Sequence, residues 1–325
     1  MMLKDVHILQ IGPHGVDRSA VELENTFTVH RWWEIEDKAL FLKEIGPLIR
    51  GIAGQPYPWK QDSNFLSNFP ALEITTVFGA GYDSIDIPTA IKRNIMVTNT
   101  PGAAAEDTAD VAIGLLLTVI RQFRNADIFV RDGKWPNGRY PLTASLRNRK
   151  VGIFGLGRIG KAIAKRCAGF DLEVVYHGRK KQTDSQYCYY PSLLKMAEDV
   201  SILIIAAPGG PETCAAVDTN ILQALGSDGI IINVGRGTIV HEQALIEGLK
   251  SQTIMGAGLD VTANEPNVSP DLLELSNVFI LPHLAGASDH TWRVMADMIN
   301  DNLKSWFKGE GPLNPVPETP FVKEN

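Results

Sequence analysis

The chain has 325 residues, of which 44% are hydrophobic and 21% charged, and its formal net charge is −6 at pH 7. This length suggests two domains, and an acidic balance with scattered lysines and arginines gives no electrostatic reason to bind nucleic acid. Three cysteines without metal-ligand spacing, together with the lack of any apolar run near the ~18 residues of a membrane span, predict no disulfide, no metal site and a soluble cytoplasmic protein.

The first part of the chain alternates short apolar runs with amphipathic stretches. Strands are predicted at residues 6–11, 72–78 and 95–98, where apolar runs end in turns rich in glycine, proline or asparagine. Such alternation is typical of βαβ units and of the α/β class. Residues 106–130 are mostly apolar with small residues interspersed, which predicts one long helix that is buried or lies in an interface.

The second part of the chain contains a longer series of strands. They are predicted at residues 151–154, 173–176, 200–206, 230–234, 255–261 and 278–281. Six strands of this kind fit one doubly wound parallel sheet. The proline-containing tail from Gly309 onward is predicted to lie as a strap on the surface.

A glycine-rich turn stands at the centre of the chain. A predicted strand leads directly into Gly155-Leu156-Gly157-Arg158-Ile159-Gly160, and residues 161–166 continue as a helix. In the G-x-G-x-x-G pattern the first glycine permits a tight turn, the second lets the main chain approach a pyrophosphate, and the third lets the helix pack on the strand. This context predicts a dinucleotide site rather than an ordinary strand-to-helix turn.

The segment after the next strand bears on which dinucleotide is bound. An acidic residue about 20 positions beyond the glycine turn usually holds the adenosine ribose hydroxyls. Here the strand is followed by His177, Gly178, Arg179, Lys180 and Lys181, with no acid among them. Because Arg179 can pair with a 2′-phosphate and Lys180 can add a point charge, we expect NADP(H) in preference to NAD(H). A solvated basic turn is the alternative interpretation.

Three polar residues at the ends of late strands form a candidate catalytic set. Arg236, Glu265 and His283 follow three successive predicted strands, and ligands of doubly wound sheets bind outside the carboxyl ends of the strands. A guanidinium can grip a carboxylate, a histidine can donate a proton, and a neighbouring carboxylate can favour the protonated ring and fix its tautomer. Each residue alone could instead brace a loop, cap a helix or fill a core.

At this point the sequence resembles the D-isomer-specific 2-hydroxyacid dehydrogenases over nearly its whole length, and within them the NADP-dependent glyoxylate/hydroxypyruvate reductases. The resemblance rests on residues 78–86 (FGAGYDSID), 99–102 (NTPG), 155–160 (GLGRIG), 233–237 (NVGRG), 258–266 (GLDVTANEP) and 282–283 (PH). It implies that Arg236 binds substrate, that Glu265 is the orienting carboxylate and that His283 is the general acid/base.

The resemblance also implies an architecture and further site residues. Residues 1–100 with 291–325 would form a substrate domain and residues 101–290 a dinucleotide-binding Rossmann domain, with a cleft between two doubly wound parallel-sheet domains. Substrate would be held near Ala53, Gly54, Phe78 and Gly79. The cofactor would be contacted by residues outside the turn and the basic loop as well: Thr108, Ala207, Pro208, Thr213, Val234, Gly235, Asp260, Ala285 and Gly286. A homodimer using part of 106–130 is also implied.

The expected function is hydride transfer from NADPH to a small 2-oxo acid of the glyoxylate or hydroxypyruvate type, with NADH as a possible donor. Two alternatives remain open. Tyr57, Trp59 and Trp135 could make room for an aromatic 2-oxo acid such as hydroxyphenylpyruvate. A dinucleotide-sensing binding protein without catalysis is the alternative of a different class, although the intact set of Arg236, Glu265 and His283 argues against it.

Overall fold

The structure is a computed structural model that describes residues 3–13, 17–54 and 60–321. The chain divides into two compact units, the first formed by Met1–Ala104 with Ser288–Asn325 and the second by Ala105–Ala287. The sequence placed these divisions after residues 100 and 290, so the observed second unit is shorter at both ends. The assignment of one unit to substrate and the other to cofactor stays a prediction.

Strands and helices alternate along the described chain. The strands are β1 (His7–Ile11), β2 (Thr28–Arg31), β3 (Ile49–Gly54), β4 (Ile74–Val77), β5 (Met96–Thr98), β6 (Lys150–Phe154), β7 (Glu173–His177), β8 (Cys188–Tyr190), β9 (Ile202–Ile205), β10 (Ile230–Asn233), β11 (Gly256–Leu259) and β12 (Val278–Ile280). The α-helices are α1 (Asp17–Thr26), α2 (Lys38–Glu44), α3 (Ser63–Ser67), α4 (Ile87–Lys92), α5 (Ala105–Ile120), α6 (Phe123–Arg131), α7 (Arg158–Ala168), α8 (Leu193–Asp199), α9 (Thr219–Leu225), α10 (Glu242–Lys250), α11 (Pro270–Leu273) and α12 (Asp289–Phe307). Among the described residues, no helix is both long and apolar enough to span a bilayer.

The first unit is built on a five-stranded parallel sheet with the order β2-β1-β3-β4-β5. This is the strand order of flavodoxin-like doubly wound folds. The sequence did not predict β2 or β3. The four residues of β2 are only partly buried and include His30 and Arg31, which gives no apolar run to find. β3 is mostly buried, but Arg50 and two glycines are among its six residues, a composition not far from that of the predicted strand β11.

The second unit is built on a seven-stranded parallel sheet with the order β12-β11-β10-β9-β6-β7-β8. Numbered within the unit, the first six strands in chain order lie as 3-2-1-4-5-6, the order of dinucleotide-binding sheets. All six predicted strands are present, and one strand that was not predicted, β8, forms the edge of the sheet beside β7. The predicted α/β class with two doubly wound parallel sheets is therefore confirmed.

The predicted long helix at residues 106–130 is in fact two helices. They are separated by Gln122, whose φ of 51° is left-handed and turns the chain between α5 and α6. Eight residues of α5 are buried, whereas no residue of α6 is, and the apolar side chains Phe123, Ile128 and Val130 of α6 are exposed. The burial that was predicted is therefore found in α5. The exposed apolar face that an interface helix would need is found in α6.

The proline-containing tail lies largely at the surface, as predicted, but it is anchored in the core. Val316 is only 1% exposed and belongs to the same apolar cluster as Leu9 and Ile52 of the sheet. Its main-chain N–H donates to the Val97 carbonyl, and the Val97 N–H donates to the Thr319 hydroxyl at 3.2 Å. The prolines mark an extended chain at the surface but do not reveal that one valine between them fills the core.

Candidate active site

The glycine turn has the geometry that each of its three glycines predicts. Gly155 has a φ of 97°, and a Cβ there would lie 2.6 Å from the Ala207 main chain. A Cβ at Gly160 would lie 2.1 Å from the Gly155 carbonyl oxygen, so α7 packs directly on the turn. A Cβ at Gly157 would meet nothing within 4 Å. The outer two glycines are therefore required by close packing, and the middle one leaves open space.

The open glycine stands at the beginning of α7, an 11-residue helix. Gly157 is its N-cap residue, and no side chain among the described residues accepts a hydrogen bond from the first turn. The first amides of such a helix carry partial positive charge and lack partners within the helix. Together with the free space at Gly157, these amides fit a pyrophosphate group. The turn can therefore hold the diphosphate of a nicotinamide dinucleotide. Of the other residues in the turn, Arg158 is exposed, Ile159 is half-buried and Leu156 is buried.

The basic loop lies beside the glycine turn because β7 pairs with β6. The Gly155 N–H donates to the His177 carbonyl at 2.9 Å, which joins the ends of the two strands. Beyond His177, Arg179 and Lys180 are exposed, and within the described part of the chain neither makes a hydrogen bond or an ion pair. A Cβ at Gly178 would meet nothing within 4 Å. Two unpaired cations next to open space are a suitable site for a phosphate on the adenosine ribose.

Other residues predicted to bind cofactor lie on the same sheet edge. Ala207 and Pro208 follow β9, and the Thr213 hydroxyl donates to the Pro208 carbonyl at 2.8 Å, which closes that loop on itself. Val234 and Gly235 follow β10 and are buried. Thr108 is an exception, because it lies within α5 and is 4% exposed. Their contacts with a cofactor stay predictions.

The loop that carries Arg236 is shaped by Asn233, a residue that the sequence analysis did not single out for this role. Its side chain donates to the Arg236 carbonyl and accepts from the Gly235 N–H, both at 3.0 Å. The Arg236 guanidinium itself donates to the Gly235 carbonyl at 2.8 Å. A Cβ at Gly237 would lie 1.9 Å from the Thr262 carbonyl oxygen, so this loop packs main chain to main chain against the turn that bears Glu265.

Glu265 and His283 form a hydrogen-bonded pair. The Nδ1 atom of His283 lies 2.7 Å from Oε2 of Glu265, and Oε1 accepts from the Thr262 N–H at 3.1 Å. Burial by itself would raise the pKa of the Glu265 carboxyl, but the His283 ring, the Thr262 amide and the charge of Arg236 together hold this pKa below its ordinary value. The carboxylate is therefore ionised at neutral pH and fixes the ring so that Nε2 is left for another partner.

Asp260 holds the main chain of His283 in an unusual conformation. His283 has a φ of 53°, a left-handed value that costs a non-glycine residue energy unless its surroundings impose it. Its N–H donates to the Asp260 carbonyl, and the buried Asp260 carboxylate accepts from the amides of Leu284 and Ala285. Burial raises the pKa of that carboxyl, although the two amides act in the opposite direction. Asp260 thus positions the histidine, and its contact with nicotinamide stays a prediction.

In the first unit, the amides predicted to hold a substrate carboxylate are already engaged. The Phe78 N–H donates to the Gly54 carbonyl at 2.7 Å, and the Gly79 N–H donates to the Val77 carbonyl and the Thr100 hydroxyl, both at 3.0 Å. By contrast, the next two amides, those of Ala80 and Gly81, have no acceptor within the described residues. The available pair is therefore displaced by two residues from the predicted one.

For the remaining predicted site residues, the structure gives only their position and exposure. Ala53 and Gly54 lie in β3, which pairs with β1 and β4, and the loop that follows them lies outside the described residues, as do Tyr57 and Trp59. Trp135 is 64% exposed in the second unit. Gly286 is half-buried next to the buried Ala285. Within the described ranges, no group of three or more His, Cys, Asp or Glu side chains could hold a metal ion.

The chain is similar to known proteins in sequence and in structure. Residues 113–285 match the model of the NAD-binding domain of the D-isomer-specific 2-hydroxyacid dehydrogenases. Glyoxylate/hydroxypyruvate reductase A of Arabidopsis thaliana is 40% identical over 295 residues, which cover 91% of this chain and 94% of that protein.

The chain belongs to the D-isomer-specific 2-hydroxyacid dehydrogenase family.

Two further family members extend the comparison. The 2-ketogluconate reductase of Gluconobacter oxydans is 41% identical over 297 residues, or 90% of this chain and 93% of that protein. The structure of the NADPH-dependent glyoxylate/hydroxypyruvate reductase of Sinorhizobium meliloti in complex with NADP and malonate is 43% identical, has a TM-score of 0.91 and covers 99% of both chains. The family resemblance and the oxidoreductase class inferred from the sequence are therefore confirmed.

Alanine substitutions should separate the packing glycines from the open one. Gly155→Ala and Gly160→Ala force a Cβ against main-chain atoms, so we expect each to lower the free energy of unfolding by about 1–3 kcal/mol. Gly157→Ala should leave unfolding within about 0.5 kcal/mol of the parent but weaken dinucleotide binding by about tenfold. Denaturant titration and fluorescence titration of the cofactor measure the two effects. Equal loss of stability in all three variants would contradict this assignment.

Proposed function

We propose that this dehydrogenase reduces small 2-oxo acids of the glyoxylate and hydroxypyruvate type to D-2-hydroxy acids, with NADPH as the hydride donor. The observation that carries the proposal is the hydrogen bond of 2.7 Å between His283 Nδ1 and Glu265 Oε2. This pair lies on the same sheet edge as the dinucleotide turn. The substrates named for the Arabidopsis and Sinorhizobium relatives support the choice of substrate class.

His283 acts as the proton donor in the proposed reduction. Because Nδ1 donates to the ionised Glu265 carboxylate, the ring presents Nε2 to the carbonyl oxygen of the 2-oxo acid. A nicotinamide held by the dinucleotide turn would supply the hydride for the keto carbon. Arg236, whose loop packs against the Glu265 turn, provides a fixed positive charge for the substrate carboxylate and for the oxygen as it gains charge, an effect typically worth about 3 kcal/mol per donor.

In the first unit, the amides of Ala80 and Gly81 are proposed to be able to bind a carboxylate group. These are the consecutive amides of the loop after β4 that have no acceptor within the described residues. The loop is braced around them, since the Asn99 side chain donates to the Ala80 carbonyl at 2.7 Å and the Thr100 hydroxyl accepts from Gly79. A preformed pair of amides binds an anion at little cost in ordering.

A substrate and cofactor panel tests the proposed function. Initial rates should be measured with glyoxylate, hydroxypyruvate, pyruvate, phenylpyruvate and 2-ketogluconate, each with NADPH and with NADH. We expect the highest kcat/KM for glyoxylate or hydroxypyruvate, and at least a tenfold advantage for NADPH because Arg179 and Lys180 are unpaired cations. A preference for NADH would refute the cofactor assignment, and a preference for another 2-oxo acid would refute the substrate assignment.

The panel also separates the alternatives. An aromatic substrate is favoured by Tyr57, Trp59 and Trp135, of which the structure describes only the exposed Trp135. It would replace the present proposal if phenylpyruvate gave the highest kcat/KM. A dinucleotide-sensing protein would bind NADPH yet turn over none of the five acids. The hydrogen-bonded state of Glu265 and His283 argues for catalysis, because sensing requires neither group.

Glu265→Gln should change the pH dependence of reduction. A carboxyl with a lowered pKa is ionised at neutral pH, and its favourable interaction is lost only as the pH falls through that lowered value. Neutral glutamine does not change its charge in that pH range and offers the Nδ1 donor only an uncharged acceptor. At neutral pH kcat/KM should therefore fall about tenfold in the variant, and its profile should lack the loss that protonation of Glu265 causes in the parent at acid pH.

The matched control for this prediction is Glu274→Gln. Glu274 is exposed at the end of α11, and its side chain makes no hydrogen bond or ion pair with other described residues. Its substitution removes the same charge without touching His283, so its pH profile should overlay that of the parent. If the Glu265→Gln profile also overlays the parent, Glu265 does not act through the histidine.

We further propose that the protein is a cytoplasmic homodimer. Its three cysteines are unpaired, as in a reducing compartment, and cell fractionation tests this location.

For the dimer, the support is the unburied helix α6, whose Phe123, Ile128 and Val130 side chains are 51%, 42% and 49% exposed. Light scattering should give twice the chain mass, and Ile128→Glu should halve it. A parent protein of single-chain mass would refute the assembly.

A further inference from the structure

The basic loop is tied to the glycine turn by one glutamine. The side-chain amide of Gln182 donates to the Leu156 carbonyl at 2.7 Å, and Leu156 lies between the first two glycines of the turn. The main-chain N–H of Gln182 donates to the Tyr176 hydroxyl at 2.8 Å. Gln182 therefore joins three segments: the end of β7, the basic loop and the turn that begins α7.

Tyr176, which accepts the second of these hydrogen bonds, is itself buried and closely packed. Tyr176 is 1% exposed within β7, and its ring packs against that of Tyr189 with centroids 5.3 Å apart. The Tyr189 hydroxyl donates to the Gly178 carbonyl at 3.2 Å. The basic loop is thus fixed at Gly178 by one tyrosine and at Gln182 by the other, and Arg179 and Lys180 lie between these two points.

A third, weaker contact joins the loop to α7 beyond Gln182. Lys161, in the first turns of α7, forms an ion pair with Asp184 at 3.0 Å. Both side chains are largely exposed, so this pair contributes little by itself. It nevertheless joins the far side of the loop to the same helix whose first turn carries the open glycine. All these contacts lie within the second unit.

Such anchoring matters because the two cations are not held by any partner of their own. Arg179 and Lys180 make no hydrogen bond or ion pair within the described residues, so their main chain sets where they can reach. If the loop were free, binding a phosphate would require the loop to be ordered at the same time, and the cost would weaken binding. A loop that is already fixed relative to the turn avoids this cost for a ligand that contacts both.

We propose that Gln182 is a positioning residue for cofactor specificity: it holds the Arg179–Lys180 loop at a fixed place relative to the glycine turn, and so selects the dinucleotide that carries a 2′-phosphate. The proposal rests on the NADPH preference proposed above. Gln182 does not touch the phosphate in this account. It acts through the position of the two cations.

Binding measurements on the full-length protein test this role. Gln182→Met keeps the length of the side chain and removes its donor, and Tyr176→Phe removes the hydroxyl that accepts the Gln182 N–H. Dissociation constants for NADP⁺, NAD⁺ and adenosine 2′,5′-bisphosphate are measured by calorimetry or fluorescence quenching. Each variant should weaken the two 2′-phosphorylated ligands by about fivefold, as expected for the loss of one neutral hydrogen bond, and leave NAD⁺ within twofold.

Thr183→Val is the matched control. Thr183 is the next residue of the same loop, is exposed, and its side chain makes no hydrogen bond with other described residues. Its substitution should change none of the three dissociation constants by more than twofold. Melting temperatures and α-helical circular dichroism of every variant, measured without ligand, identify any variant whose fold is altered, and Gln182→Met and Tyr176→Phe provide independent tests of the same loop.

A mutant cycle tests whether Gln182 acts through the two cations. In an Arg179→Ala/Lys180→Ala background, Gln182→Met should weaken NADP⁺ by less than twofold, because neither cation is left to be positioned. Fivefold losses that multiply when Gln182→Met is added to this background would overturn the proposal. So would equal weakening of NAD⁺ and NADP⁺ by Gln182→Met, since that result indicates damage to the whole dinucleotide turn.

The proposal and the cofactor assignment fail in different ways. A parent protein that binds NAD⁺ as tightly as NADP⁺ refutes the cofactor assignment whatever the variants do. A parent that prefers NADP⁺, with a Gln182→Met variant that prefers it equally, leaves the proposed function intact and refutes the role of Gln182.

Discussion

The candidate site depends on direct contact between main chains at the carboxyl edge of the seven-stranded sheet. Gly155 lies against the main chain of Ala207, and Gly237 lies against the carbonyl of Thr262, at distances that leave no room for a Cβ. The first contact joins the turns after β6 and β9, which are neighbours in the sheet. The second joins the loop of Arg236 to the turn of Glu265. Because parallel strands end at one edge, these side-chain-free contacts bring loops from distant parts of the sequence close enough for their polar residues to act together.

The histidine is held by a second device, an inward-facing carboxylate. Asp260 is 2% exposed and accepts two amides from the turn that follows β12, and its carbonyl accepts the His283 N–H. These bonds compensate for the left-handed backbone of His283. Glu265 then fixes the ring from the side. The two carboxyl groups therefore have different tasks, and their pKa values move in opposite directions: burial dominates for Asp260, whereas hydrogen bonds and nearby positive charge dominate for Glu265.

Sequence patterns predicted strands from mostly apolar runs that end in turns, and the dinucleotide turn from glycines at fixed spacing. The six predicted strands of the second sheet were found in this way, even β11, which contains two glycines. The patterns did not predict β3, which has a similar glycine content, or the burial of Val316 among prolines. The family resemblance implied substrate amides near Ala53-Gly54 and Phe78-Gly79, and this stays a prediction. The hydrogen bonds to Gly54, Val77 and Thr100 occupy the Phe78 and Gly79 amides, and the pair without an acceptor among the described residues begins at Ala80.

The charge of the protein and the charge of its site have opposite signs. A chain of formal net charge −6 repels anionic 2-oxo acids and NADPH at long range, but salt screens this repulsion beyond about 8 Å at physiological ionic strength. Recognition must therefore come from groups in contact with the ligand. Arg179 and Lys180 can supply it for the cofactor only if they stay where the phosphate arrives, since a flexible cation at the surface of an acidic protein gains little from a screened attraction. Fixing the main chain on either side of them, through Gly178 and Gln182, is a physical solution to that requirement.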